Sequence, residues 1–192
     1  MRCYSQLLVE KVALVILERI SRKFLILLSS FQEKTLPLGD VVTIVRYLDP
    51  RLVLFTEETQ QMQVIQHLVD LAFKAGWVKN KDIFYQAVID REKIVSTGIG
   101  LGVAIPHAKV PSESDFFIAI GIHKDSGIEW KSLDKAPVQL VFLVGGPGNQ
   151  HKTYLKILSH LTHLIKQSSL KEDLLKATTQ EQVIELFKHY DF

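Results

Sequence analysis

Cysteine is nearly absent from the chain: Cys3 is the one example among 192 residues, so no disulfide can form within the sequence. Disulfide frameworks are typical of oxidising compartments, and their absence here favours a reducing cytoplasm. An excess of charge of one sign is also absent, because 23 lysines and arginines face 21 aspartates and glutamates and leave a formal net charge of +2. Nothing in this balance favours a nucleic-acid partner, and we expect none.

Long apolar runs without charge are missing too, even in the strongly apolar first 36 residues. The longest such stretches, residues 12–17 and 24–32, fall well short of the ~20 residues that span a bilayer, so we expect no integral membrane insertion. The start also lacks the basic, apolar and small-residue order of a signal peptide. We predict that residues 1–36 form a helical extension whose apolar face packs on the rest of the protein or on a second copy in a homodimer. Peripheral membrane contact and removal from the mature protein stay open as alternatives.

Beyond a breaker stretch at residues 36–40, helical and strand patterns alternate. Acidic residues after Thr56, and Gly76 beyond the last apolar position, indicate a helix with Thr56 as its cap. The runs at 116–123 and 138–144 are strand-like, and the second is apolar throughout, as in a strand covered on both faces. Further helices are predicted at residues 81–92, 151–167 and 179–189. The alternation predicts a layered α/β domain.

The most unusual local pattern is GIGLGVAIPHAKV at residues 98–110. In an extended chain Gly98, Gly100 and Gly102 share one nearly bare face, while bulky residues occupy the other. Glycine exposes backbone N–H groups, so this face suits a phosphate or the close approach of another backbone. Pro106 favours an extended shape before it and presents His107 at a defined angle. A strand packed on a helix and ended by a histidine explains the same spacing, and both interpretations stay open at this point.

Two other motifs point towards phosphate or metal chemistry but lack an essential part. Residues 145–153 nearly spell the nucleotide-binding pattern G-x-x-x-x-G-K-[ST], with Lys152 and Thr153 in place. His151 stands where that loop needs its second glycine, which argues against nucleotide hydrolysis. His160 and His163 are spaced to share a helix face, but they have no acidic or cysteine partner nearby. We therefore expect no metal and no bound cofactor.

The stretch DREKIVSTGIGLGVAIPHAK at residues 90–109 resembles the phosphorylation-site region of IIA proteins of the bacterial sugar phosphotransferase system, mannitol/fructose class (EIIA type 2). That region has the pattern TGIG-x-G-[IV]-A-[IV]-P-H. The resemblance extends from about Asp40 to Lys188. The phrases REK-x-x-STGIG and KT-x-L-x-x-LS are most similar to the nitrogen-regulatory branch. The resemblance implies one EIIA type 2 domain over residues 37–192, a mixed β-sheet flanked by helices on both faces.

In that family the histidine that matches His107 accepts a phosphoryl group from an HPr-like phosphohistidine carrier protein, without a metal or nucleotide. Neutral imidazole is a competent nucleophile near pH 7. The resemblance implies that Arg91 is the charge partner of the phosphate, with a surface arginine at a helix end as the alternative. The backbone of Gly98, Gly100 and Gly102 is expected to contact the phosphoryl oxygens.

The sequence departs from the family at the second active-site histidine, whose position is occupied by Tyr154. Tyrosine donates one hydrogen bond to a phosphoryl oxygen but is not cationic at pH 7. His151 lies one helical turn earlier, and we expect it to approach the same phosphate from a neighbouring position.

The resemblance leaves three functional interpretations. We favour a cytoplasmic regulatory IIA that holds a phosphoryl group as a signal for target proteins. The second interpretation is a fructose- or mannitol-type transport IIA that relays the phosphoryl group to a IIB domain. The third is a binding regulator that is never phosphorylated, which the loss of a histidine at Tyr154 would favour.

Overall fold

A computed structural model describes residues 43–167 and 169–190 of the chain. The extension predicted over residues 1–36 and the boundary predicted before residue 37 lie outside that part. A 3-10 turn at Ile44–Tyr47 comes first. The elements that follow are β1 (Leu48–Phe55), α1 (Gln61–Lys74), α2 (Lys81–Ile94), β2 (Gly98–Gly100), β3 (Val103–Ala104), β4 (His107–Val110), β5 (Phe117–Ile122), β6 (Leu140–Pro147), α3 (His151–Gln167), α4 (Leu170–Lys176) and α5 (Gln180–Tyr190).

The strands form one mixed sheet in the order β1-β5-β6-β3-β2, with β4 also paired to β6. Parallel pairs join β1 to β5 and both β3 and β4 to β6, whereas β5–β6 and β2–β3 are antiparallel. β3 and β4 lie against successive parts of the same edge of β6. The short link between them therefore runs beside the middle of the sheet, where the Val144 amide donates to the Pro106 carbonyl at 2.9 Å.

Helices cover both faces of the sheet, as predicted. Along β5, Phe117 and Ala119 pack towards α1 and α2, while Ile118 and Ile120 pack towards α3, α4 and α5. Burial on both faces explains why β5 and β6 are apolar without alternation. Within the part of the chain that the structure describes, no helix is both long and apolar enough to cross a membrane.

The first residues of the near-match to a nucleotide-binding loop belong to a β-strand, because β6 continues through Gly145 and Gly146 to Pro147. A Cβ atom on Gly145 would lie 2.3 Å from a ring carbon of Phe117, and one on Gly146 would lie 2.1 Å from a ring carbon of Phe116. These glycines are needed because two phenylalanine rings pack directly on the strand backbone.

The prediction that Thr56 caps the first helix was wrong. β1 runs to Phe55, and the Thr56 amide donates to the Ile122 carbonyl at 3.0 Å, which continues the pairing with β5. The helix begins at Gln61 with Gln60 in extended conformation before it. Pairing with β5 thus keeps Thr56 in the extended chain, where local capping chemistry predicted the start of a helix.

Candidate functional site

His107 is the first residue of β4, and the strand fixes where its side chain points. β4 pairs with β6 from His107–Val144 to Val110–Pro147. Along β4, Ala108 and Val110 are buried in the core, whereas His107 and Lys109 are half-buried on the opposite face. The period of two along a strand therefore places the histidine and the lysine side by side.

The His107 ring is held in one tautomer by the backbone before it. Its Nδ1 atom lies 2.6 Å from the carbonyl oxygen of Ile105. A carbonyl oxygen only accepts hydrogen bonds, so Nδ1 carries the hydrogen and donates it. In the neutral ring Nε2 then carries the lone pair, and no hydrogen bond to Nε2 is formed by the residues that the structure describes.

His107 lines a surface depression of about 290 Å³ together with residues from three elements. Arg91 and Ala87 come from α2, Ala108 and Lys109 from β4, and Tyr154 from α3. The Tyr154 ring is buried and meets the His107 ring edge-on, with 5.7 Å between the ring centroids. The structure thus brings together His107, Arg91 and Tyr154, which the sequence analysis had grouped.

Arg91 contributes a fixed positive charge to the depression. It lies in the last turn of α2, where its Nη1 atom donates to the Val95 carbonyl at 2.9 Å. Its charge acts on both neighbouring rings, since it lowers the pKa of His107 and opposes the rise in the pKa of Tyr154. Burial raises the pKa of Tyr154 well above its usual range, so its hydroxyl stays protonated and neutral.

Burial of His107 lowers its pKa below the ordinary value of 6.5, and the charges of Arg91 and Lys109 act in the same direction. The Ile105 carbonyl and Glu92 oppose the shift. We therefore expect the His107 ring to remain mostly neutral at pH 6.5 and to take up its proton at a lower pH. NMR titration of the ring would measure the midpoint. A midpoint at or above pH 6.5 would contradict the prediction. The unfolded chain takes up this proton first, so His107 lowers folding stability as the pH drops below 6.5.

The glycines lie in the β2–β3 hairpin and do not line the depression. Gly100, Leu101 and Gly102 all have positive φ, at 85°, 59° and 71°, and they form the turn between β2 and β3. A Cβ atom on Gly98 would lie 2.8 Å from the Ser132 backbone. Turn geometry and close packing therefore account for the glycines here, and their role in phosphate binding stays a prediction.

His151 begins α3 and is exposed, and it lies outside the residues that line the depression. Its Nδ1 atom accepts a hydrogen bond from the Lys109 ammonium, whose nitrogen also lies 5.0 Å from the centroid of the Tyr154 ring. Sequence reasoning missed Lys109. The available signal was its position two residues after His107, which places both side chains on one face of a strand.

Glu92 was also missed, although it organises the segment between α2 and the hairpin. Its carboxylate accepts hydrogen bonds from five donors: the Gln61 amide (2.9 Å), the Ser96 hydroxyl (3.1 Å), the Thr97 backbone N–H (3.0 Å) and hydroxyl (2.6 Å), and the Trp130 indole (3.0 Å). It follows Arg91 directly on α2. One carboxylate thus ties the turn that carries Arg91 to α1 and to the loop after β5.

The chain matches the family model described as "Phosphoenolpyruvate-dependent sugar phosphotransferase system, EIIA 2" over residues 46–190. A PTS system fructose-specific EIIABC component of Bacillus subtilis is 35% identical over 135 residues, which are 70% of this chain and 21% of that protein. The chain therefore spans about a fifth of that relative's length. A nitrogen regulatory protein homolog of Haemophilus influenzae is 29% identical over 138 residues, covering 71% of this chain and 83% of that protein.

The fold also has a solved counterpart. The crystal structure of nitrogen regulatory protein IIA-Ntr from Neisseria meningitidis superposes with a TM-score of 0.70 and 25% sequence identity, covering 76% of this chain and 99% of that one. This likeness confirms the predicted mixed α/β architecture.

Proposed function

Because the chain belongs to the EIIA type 2 family of the phosphoenolpyruvate-dependent sugar phosphotransferase system, we propose that it accepts a phosphoryl group on Nε2 of His107 and acts as a regulatory signal. The main observation in support of this proposal is the tautomer of the His107 ring. Its Nδ1 hydrogen is committed to the Ile105 carbonyl, so the nucleophilic lone pair is on the other nitrogen, beside the positive charge of Arg91. The donor is an HPr-like phosphohistidine carrier protein.

The transfer needs only the two histidines and the phosphoryl group. The Nε2 lone pair attacks the phosphorus, a new N–P bond forms at His107, and the N–P bond of the carrier breaks. The carrier's ring nitrogen leaves with the bonding electron pair. The His107 ring gains positive character as the bond forms, and the Ile105 carbonyl stabilises it through the Nδ1 hydrogen.

Arg91 stabilises the charge on the transferred group. In the transition state of phosphoryl transfer the charge is spread over three equatorial oxygens, so catalysis depends on positioning and electrostatics. Arg91 uses one donor on Val95, which fixes the guanidinium beside His107 and leaves further N–H groups to bond phosphoryl oxygens. Tyr154 adds one neutral donor.

A regulatory role fits this site better than relay of the phosphoryl group to a IIB domain during sugar transport. A phosphoryl group adds about −1.5 to −2 charges to the surface, enough to change the affinity of a partner protein without any further reaction. Tyr154 is buried, neutral and held against Phe116, with 6.3 Å between their ring centroids, so it supplies no cation to speed onward transfer. One relative is named as a fructose-specific component and another as a nitrogen regulatory protein homolog. The transport alternative therefore remains the second candidate.

The test compares onward transfer with partner selection. We propose that the chain acts in the cytoplasm. Once the carrier has phosphorylated it, we expect it to pass its phosphoryl group only slowly to fructose- or mannitol-type IIB domains. We also expect His107→Ala and His107→Asp variants to retain different proteins in pull-downs. Tyr154→His is the matched comparison, because it restores the family's second imidazole beside His107 and should speed transfer to IIB. Rapid transfer to a IIB domain by the unaltered chain, with no partner that separates the two variants, would favour the transport alternative.

A further inference from the structure

Lys109 and His151 form a pair beside His107 that the transfer proposed above does not use. Lys109 belongs to β4 and lines the depression, whereas His151 is the first residue of α3. The Lys109 ammonium donates to Nδ1 of His151, and its nitrogen lies 5.0 Å from the centroid of the Tyr154 ring. Two contacts from α3 therefore hold one lysine head group at the edge of the depression.

The His151 ring is set up to receive this lysine. An ammonium group has donors and no acceptor, so Nδ1 of His151 is the accepting nitrogen and its hydrogen is on Nε2. The Tyr154 ring gives a second attraction, because a cation over an aromatic face is favoured electrostatically. A flexible lysine side chain thereby gains a defined position that β4 alone does not impose.

The position of Lys109 also relates it to His107. Two residues along a strand separate their Cα atoms by about 6.5 Å, a distance that the four-carbon stem of lysine spans easily. The charge of Lys109 already acts on the His107 ring. Of the three ammonium hydrogens one is bonded to His151, and the described residues take up no other.

We propose that Lys109 is the second phosphoryl-binding cation of this site and that His151 is the residue that positions it. The inference rests on the function proposed above, since it needs a phosphoryl group on His107. Arg91 approaches that group from α2 and Lys109 from β4, so the two cations bind different oxygens. The pair places a positive charge beside the neutral Tyr154, where it stabilises the phosphorylated state of His107 and so favours retention of the phosphoryl group over onward transfer.

The experiment measures how fast the carrier phosphorylates His107 and how the phosphoryl group is shared between the two proteins at equilibrium. We expect Lys109→Met to slow acceptance and to shift the equilibrium towards the carrier by about 10- to 100-fold, the usual effect of losing one charge-assisted hydrogen bond. Lys109→Arg should restore most of the loss. Lys152→Met removes an exposed positive charge next to His151 on the same helix and should change neither quantity.

The positioning role of His151 has its own readout. His151→Gln keeps an acceptor for the lysine and should stay close to the unaltered chain, whereas His151→Leu should lose several-fold in acceptance. Nitrogen NMR of the His151 ring should show hydrogen on Nε2 in the unaltered chain and a mixture of tautomers in Lys109→Met. This inference would be overturned if Lys109→Met and the unaltered chain, both labelled on His107, showed equal rates and equilibria. The proposed function would then still stand. An unaltered chain that takes no label on His107 would overturn the proposed function and this inference together.

Discussion

His107→Ala should take no phosphoryl label from the phosphorylated carrier, whereas the unaltered chain should carry one acid-labile, base-stable label on that residue. The reason is chemical: on the proposed function His107 supplies the nucleophilic nitrogen, whereas its neighbours in the depression offer none, since Arg91 and Lys109 are cations and the Tyr154 hydroxyl stays protonated. Peptide mapping under basic conditions would locate the label.

The control for this prediction is His151→Ala, which removes the imidazole bonded to Lys109 and should still be labelled on His107. Within residues 43–167 and 169–190, the His107 side chain has one hydrogen bond, to the carbonyl two residues before it, and one ring contact, with Tyr154, so we expect the His107 variant to keep its fold. Equal thermal unfolding of both variants would verify this. A label on His151 with His107 unmodified would contradict the assignment.

Glu92→Ala should lower the free energy of unfolding by about 2 to 4 kcal/mol, the largest stability effect that we expect near the site. The carboxylate accepts from five donors, and two of the residues that donate, Thr97 and Trp130, are only 5% and 7% exposed. Without it their polar groups lose a charged partner and stay shielded from water. Urea unfolding followed by tryptophan fluorescence would give the value.

A charge-matched control separates this effect from the mere loss of a negative charge. Glu129 is exposed, and among the described residues its side chain accepts one hydrogen bond, from the Gln60 amide at 3.2 Å. Glu129→Ala should therefore change the free energy of unfolding by about 0.5 kcal/mol or less. Similar losses for the two variants would show that the five-donor arrangement around Glu92 contributes little.

The central part of the fold could be predicted because burial leaves a clear pattern in the sequence. The two apolar runs became β5 and β6, and the predicted helices at residues 81–92, 151–167 and 179–189 became α2, α3 and α5. β1 was missed because Pro50 and the charged residues around it hide a strand whose paired residues are 67 or more positions away along the chain. α4 was missed because seven residues are too few for a periodic signal.

The residues of the candidate site could be predicted where they matched a family motif in the sequence. His107, Arg91 and Tyr154 were grouped through the resemblance, and the fold places them around one depression. The glycine pattern was harder, since alternation predicts a bare face only while the chain stays extended. Three successive residues with positive φ end the extended strand at the hairpin turn, and no spacing rule reveals that.

Glu92 shows why the supporting contacts could not be predicted. Two of its donors, on Gln61 and Trp130, come from positions 31 and 38 residues away in the sequence. Nothing in the local pattern REK distinguishes such a glutamate from one on a solvated helix face. Only the fold brings those donors to it.

The pairing of β4 with β6 also limits how a phosphoryl group on His107 can be recognised. The strand that carries His107 is paired with β6 inside the sheet, so we expect a phosphoryl group there to change the surface charge while the backbone stays in place. On the proposed function, a target protein that recognises this group must touch the same small depression as the carrier, so the two would exclude each other. An abundant carrier would then compete with the targets for the chain even before any phosphoryl group is transferred.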